Sequence, residues 1–145
     1  MNKILIVDDE KAIRDVLSDT LSFLGYEVTV ASNGHEGFSL FLNNSFELVF
    51  TDMHMPGMDG WTLARRIKDK SPNTPVVLIT GSEKETVMKR FKGSFVDTVI
   101  FKPLSLEDIQ KTVQGFLHTR QWTRGSAPSV SDSVSSQRYM KAEEQ

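Results

Sequence analysis

The chain has 145 residues, no cysteine, 39% hydrophobic and 25% charged residues, and a formal net charge of −2. That length suits one domain with a sizeable core plus an extension. The lack of cysteine excludes disulfides, thiolate metal sites and thiol catalysis, and the charge leaves no basic footprint for nucleic acid. The opening MNKILIVDDE carries an apolar run of only four residues before two aspartates. This is neither a signal peptide nor a membrane span, so a cytoplasmic protein with no membrane partner is expected.

Ile4–Val7 is continuously apolar, the pattern of a strand covered on both faces. From Lys11 the residues Ile13, Val16, Leu17, Leu21 and Leu24 recur at helical spacing, and Gly25 supplies the stop. Glu27–Ala31 alternates as a second strand; Asn33, with Glu36 three residues on, reads as the cap of a second helix. Glu47–Thr51 is a third apolar strand that ends at Asp52, and Pro56, Gly57 and Gly60 turn the chain into a helix over Trp61–Lys70. Pro75–Thr80 is a fourth strand, with proline tolerated at its first residue. Ser82 and Glu85 form a capping-box pattern for a fourth helix reaching Lys92. Thr98–Phe101 is the fifth strand, and Ser105 with Asp108 caps a last helix whose buried side carries Leu106, Ile109, Val113, Phe116 and Leu117. Five strands alternating with five helices predict an α/β fold: a doubly wound, five-stranded parallel sheet with helices on both faces. Residues 121–145 turn rich in Ser and charge and read as a polar C-terminal extension. Within them, Tyr139 and Met140 are candidate docking residues, as is Trp122.

The strand ends hold the chemistry. Asp8 and Asp9 follow the first strand, Asp52 the third, Thr80 ends the fourth and Lys102 follows the fifth. In a doubly wound sheet these ends share one edge. Clustered carboxylates require a compensating cation; Lys102 offers one charge, and Mg²⁺ suits a site of carboxylates, a carbonyl and water. That set fits phosphoryl transfer to a carboxylate, with Asp52 as nucleophile, Asp8, Asp9 and Asp52 around the metal, and Lys102 and Thr80 on phosphoryl oxygens.

These motifs together, VDDE at 7–10, TDMHMPGMDG at 51–60, ITGS at 79–82 and FKP at 101–103, make residues 1–120 resemble a response-regulator receiver domain of two-component signalling. The resemblance implies a flavodoxin-like sheet of strand order 2-1-3-4-5, Asp52 as phosphoacceptor, the His54 backbone carbonyl as a further Mg²⁺ ligand, and a cis bond before Pro103. It also implies a sensor histidine kinase or histidine phosphotransfer protein as phosphodonor. Output is expected through an unidentified protein partner, as in single-domain regulators, because no effector domain follows Leu117; the sequence leaves homodimer formation open. Relatives often carry Tyr or Phe three residues before the lysine; here that position is Val99, and Phe101 lies on the same strand face by parity. The stretch 92–97 also lacks a Gly-Ala pair usual in the family.

A lone acid at a strand end is more often a cap than a nucleophile, and Asp52 stands out only because four other strand-end residues agree with it. Asp59 is expected to be a turn acid or helix cap, Glu10 to complement a helix dipole, with contact to a metal through water as its lesser alternative, and Met53, Met55 and Met58 to fill core or loop gaps. His35, His54 and His118 are too scattered for a ligand cluster, and Ser82 is read as a cap. The competing function is a receiver-shaped interaction module that works without phosphorylation. An FMN carrier is disfavoured because Asp8-Asp9-Glu10 would repel a phosphate, and a P-loop hydrolase because G-x-x-x-x-G-K-[ST] does not occur.

Overall fold

Continuous apolar runs place the strands. In a computed structural model, which describes residues 2–117, β1 (Lys3–Val7), β3 (Leu48–Asp52) and β4 (Val76–Thr80) form the middle of the sheet, and β3 and β4 are buried at every position. β2 (Glu27–Ala31) and β5 (Thr98–Phe101) close the two sides. All pairings are parallel in the order β2-β1-β3-β4-β5, as expected.

Alternate residues of each strand feed two cores. Ile4, Ile6, Leu48, Phe50, Val77, Ile79 and Ile100 face α1 (Lys11–Phe23) and α5 (Leu106–Leu117), which contribute Leu17, Leu21, Ile109 and Val113. Leu5, Val7, Val49, Leu78 and Val99 face α2 (Gly34–Asn43), α3 (Gly60–Lys70) and α4 (Lys84–Phe91), with Phe41, Leu63, Ile67, Val87 and Phe91. Each fully buried Val, Leu, Ile or Phe contributes about 1.5–3 kcal/mol. A one-residue slip would turn each strand's two faces over, so this double burial fixes which residue of each strand reaches the rim.

Helix starts follow local hydrogen bonding. Asn33 Oδ1 accepts from Glu36 N at 2.8 Å, Asp59 Oδ1 from Thr62 N at 2.8 Å, and Ser105 Oγ from Asp108 N at 3.0 Å. Glu36 does not complete a box with Asn33; its carboxylate turns back to Ser32 N at 2.8 Å and Ser32 Oγ at 3.0 Å. The Ser32 backbone bond, the largest influence, holds the Glu36 carboxyl below its usual range. Gly25, at φ +98°, ends the α1 turn in the left-handed region that glycine adopts without strain. Met53, Met55 and Met58 are buried in the second core, as expected.

Several details differ from the sequence reading: α3 begins one residue earlier at Gly60, α4 ends one residue earlier at Phe91, and Leu106, expected on the buried side of α5, is exposed. Asp52 belongs to β3 as its last residue, and Glu47 lies outside it. Pro75 flanks β4 rather than opening it, though its carbonyl still accepts from Val49 N at 3.0 Å. Ser82 does not cap α4: Glu83 holds the cap position, and its side chain accepts from no helix amide. Ser82 is drawn instead toward the strand end, where its N–H donates to Thr80 Oγ1 at 2.9 Å. The boundary at 120, the extension 121–145 and His118 lie outside the described residues.

Candidate functional site

The β1, β3, β4 and β5 ends bring Asp8, Asp9, Asp52, Thr80 and Lys102 to the carboxyl edge of the sheet, where open α/β folds bind ligands. One carboxylate oxygen each of Asp8, Asp9 and Asp52 lies within 4.8 Å of the others, the single such metal-capable cluster among the described residues. Asp8 and Asp52 are buried and Asp9 is exposed.

Asp8 follows β1 directly. Its N–H donates to Ala31 O at 3.1 Å, its Oδ1 accepts from Glu10 N at 2.8 Å, and its carbonyl accepts from Arg14 Nη1 at 2.7 Å. Oδ2 is buried without a hydrogen-bond partner. Burial, reinforced by Asp52 and Asp9 and opposed by the Glu10 N–H and Lys102, pushes the Asp8 carboxyl up to about 6.

Asp52 ends β3, and its backbone is seated by α3. A Cβ on Gly60 would run into the Asp52 carbonyl oxygen, and Gly60 N donates to Met53 O at 2.9 Å. Glycine thus lets the start of α3 lie against the acid-bearing strand end. Burial raises the Asp52 carboxyl against the opposing pull of Lys102.

Lys102 Nζ lies 3.3 Å from Asp52 Oδ1 and 3.4 Å from Glu10 Oε1. Burial pulls this ammonium down, but Asp52 and Asp8, with bonds to Asp52 and Glu10, outweigh it and leave the group raised. The Lys102–Pro103 bond is cis, as the resemblance implies. Lys102 N donates to Thr80 O at 2.8 Å, joining the ends of β4 and β5. Thr80 is buried. His54, two residues past Asp52, is exposed, and its Nε2 lies 3.2 Å from Ser82 Oγ.

One ammonium therefore faces three carboxylates plus Glu10. The unpartnered Asp8 Oδ2 and the all-oxygen donor set fit a hard divalent cation such as Mg²⁺. Two features escaped the sequence reading: the Arg14 guanidinium on the Asp8 carbonyl, and the Glu10 side chain on Lys102, which had been assigned to the helix dipole. Neither carries a spacing signal, since Glu10 and Lys102 are 92 positions apart. Val99 is fully buried, while Phe101, partly buried on the same face, lies under Lys84 Nζ at 5.7 Å from its ring.

Fold and rim together define a doubly wound α/β domain with an acidic, cation-ready carboxyl edge. The family model for the response regulator receiver domain matches residues 4–114, and the chain belongs to that family. Receiver domains serve phosphorylation-based two-component signalling and interact with histidine kinases. A probable transcriptional regulator, ycf27, from Cyanidium caldarium is 33% identical over 120 residues, which are 81% of this chain and 47% of that one. The chain thus spans about half the length of that relative. The solved chemotaxis protein CheY4 of Vibrio cholerae superposes with a TM-score of 0.75 at 30% identity, covering 81% of this chain and 99% of the other. The response regulator TrrA of Thermotoga maritima, solved in complex with Mg²⁺-BeF, gives 0.72 at 29% identity, covering 81% and 100%.

Proposed function

We propose that the chain is a response-regulator receiver that accepts a phosphoryl group on Asp52. The observation that carries this reading is the gathering of Asp8, Asp9 and Asp52 within 4.8 Å beside the Lys102 ammonium. An Asp52 carboxylate oxygen attacks phosphorus as the P–N bond of a phosphohistidine breaks. The electron pair leaves with the imidazole nitrogen, and the product is an acyl phosphate. Asp8, Asp9, Asp52 and the His54 carbonyl would hold Mg²⁺, which when bound would supply charge neutralisation for the phosphoryl oxygens. Lys102 exchanges its contact with Asp52 for a phosphoryl oxygen, and the Thr80 hydroxyl donates to another. Placement and charge carry the catalysis, so the domain needs no general base.

A sensor histidine kinase or histidine phosphotransfer protein serves as donor, in the cytoplasm. Output passes by phosphorylation-dependent binding to another protein. The test is incubation with Mg²⁺ and acetyl phosphate. One phosphoryl group is expected on the wild type and none on Asp52→Asn. Equal labelling of both would move the acceptor elsewhere, and no labelling of either, even with a kinase, would favour the phosphorylation-independent module.

A further inference from the structure

The β1–α1 turn holds Asp8 more firmly than a strand end requires. Two of its bonds are local: the N–H extends the β1–β2 ladder to Ala31, and Oδ1 takes the Glu10 amide in a turn two residues long. The third comes from the α1 side chain of Arg14, whose Nη1 reaches back to the Asp8 carbonyl at 2.7 Å. β1 ends at Val7, so this carbonyl lies beyond the strand's own ladder. The placement of the guanidinium is telling. It bonds a neutral carbonyl and leaves the Asp8 carboxylate oxygen Oδ2 without a hydrogen-bond partner. Glu36, in the first turn of α2, also feels the Arg14 charge.

We infer that Arg14 is a positioning residue for the divalent cation, fixing the Asp8 backbone so that its unpaired carboxylate oxygen stays available beside Asp9 and Asp52. This rests on the metal reading above and adds a residue to it. A role as mere charge makes the opposite forecast, because a guanidinium held on the Asp8 carbonyl repels a cation bound by the same residue's carboxylate. Removing it would then tighten Mg²⁺ binding. Loss of a residue that orients a metal ligand weakens binding, by about tenfold or more.

The experiment is a calorimetric titration of the full chain with MgCl₂, alongside amide exchange at Glu10, whose N–H reports the Asp8 turn. Arg14→Ala is expected to bind Mg²⁺ about tenfold more weakly and to exchange the Glu10 amide faster. Arg14→Lys, which keeps charge and a donor, should recover part of both and carries the test if the alanine variant does not fold. Unchanged or tighter Mg²⁺ binding in both variants overturns the inference. A wild type that binds no Mg²⁺, or whose binding ignores Asp52→Asn, fails the underlying metal reading instead, so the two failures are distinct.

Discussion

Each edge of the sheet carries a lysine–aspartate pair, and the two pairs are built differently. At the amino edge, Lys68 Nζ lies 2.6 Å from Asp97 Oδ2 and 2.8 Å from Thr74 O, while the same Asp97 oxygen takes Val76 N at 2.7 Å. One cation meets one anion, and backbone groups complete both. At the carboxyl edge Lys102 stands at longer range, 3.3 Å from Asp52, among an excess of acids, with one buried oxygen left over. The first arrangement locks α3, β4 and the approach to β5 together. The second leaves charge uncompensated where a ligand can supply the balance.

Breaking the amino-edge pair should have the larger effect on stability. Asp97→Ala removes two charge-assisted bonds and strands the Val76 amide, so a loss of about 2–3 kcal/mol is expected in urea unfolding. Mg²⁺ affinity should not move. A change in Mg²⁺ affinity as large as the change in stability would mean that the edges are not separable.

Relieving the carboxyl edge should act in the other direction. The folded Asp8 carboxyl sits at about 6 against an ordinary 3.8, so between those values the folded state holds more protons than the unfolded one. Stability from this group is then greatest below 3.8 and declines as pH rises through about 6. Asp8→Asn should therefore stabilise the metal-free protein at neutral pH by roughly 1–3 kcal/mol, with the gain vanishing in acid. Paired urea titrations across that range check it; a gain independent of pH would point to packing instead of charge.

The two edges were not equally legible in the sequence. Asp8, Asp52, Thr80 and Lys102 stood out because each follows or ends an apolar run, and strand alternation alone brings such residues to one rim. The Lys68–Asp97 pair gave no such sign: its members are 29 positions apart, on a helix surface and in a loop, and only the packing of α3 joins them. Ser82 shows the limit of local patterns. Its spacing to Glu85 matches a capping box, yet the Thr80 hydroxyl takes the Ser82 amide and the helix begins two residues later. Arg14 carries no local sign of its role, because only the fold sets its guanidinium on the Asp8 carbonyl.

The most direct measurement is the urea midpoint of the wild type as pH rises from the ordinary carboxyl value of 3.8 through about 6, with and without saturating MgCl₂. Without Mg²⁺ the Asp8 contribution should lower the midpoint as pH rises, relative to Asp8→Asn. With Mg²⁺ the decline should disappear or reverse, because the cation binds the ionised carboxylates and only in the folded chain. Superimposable curves with and without the metal would contradict the claim that these acids are held apart from their balancing charge for a cation to supply.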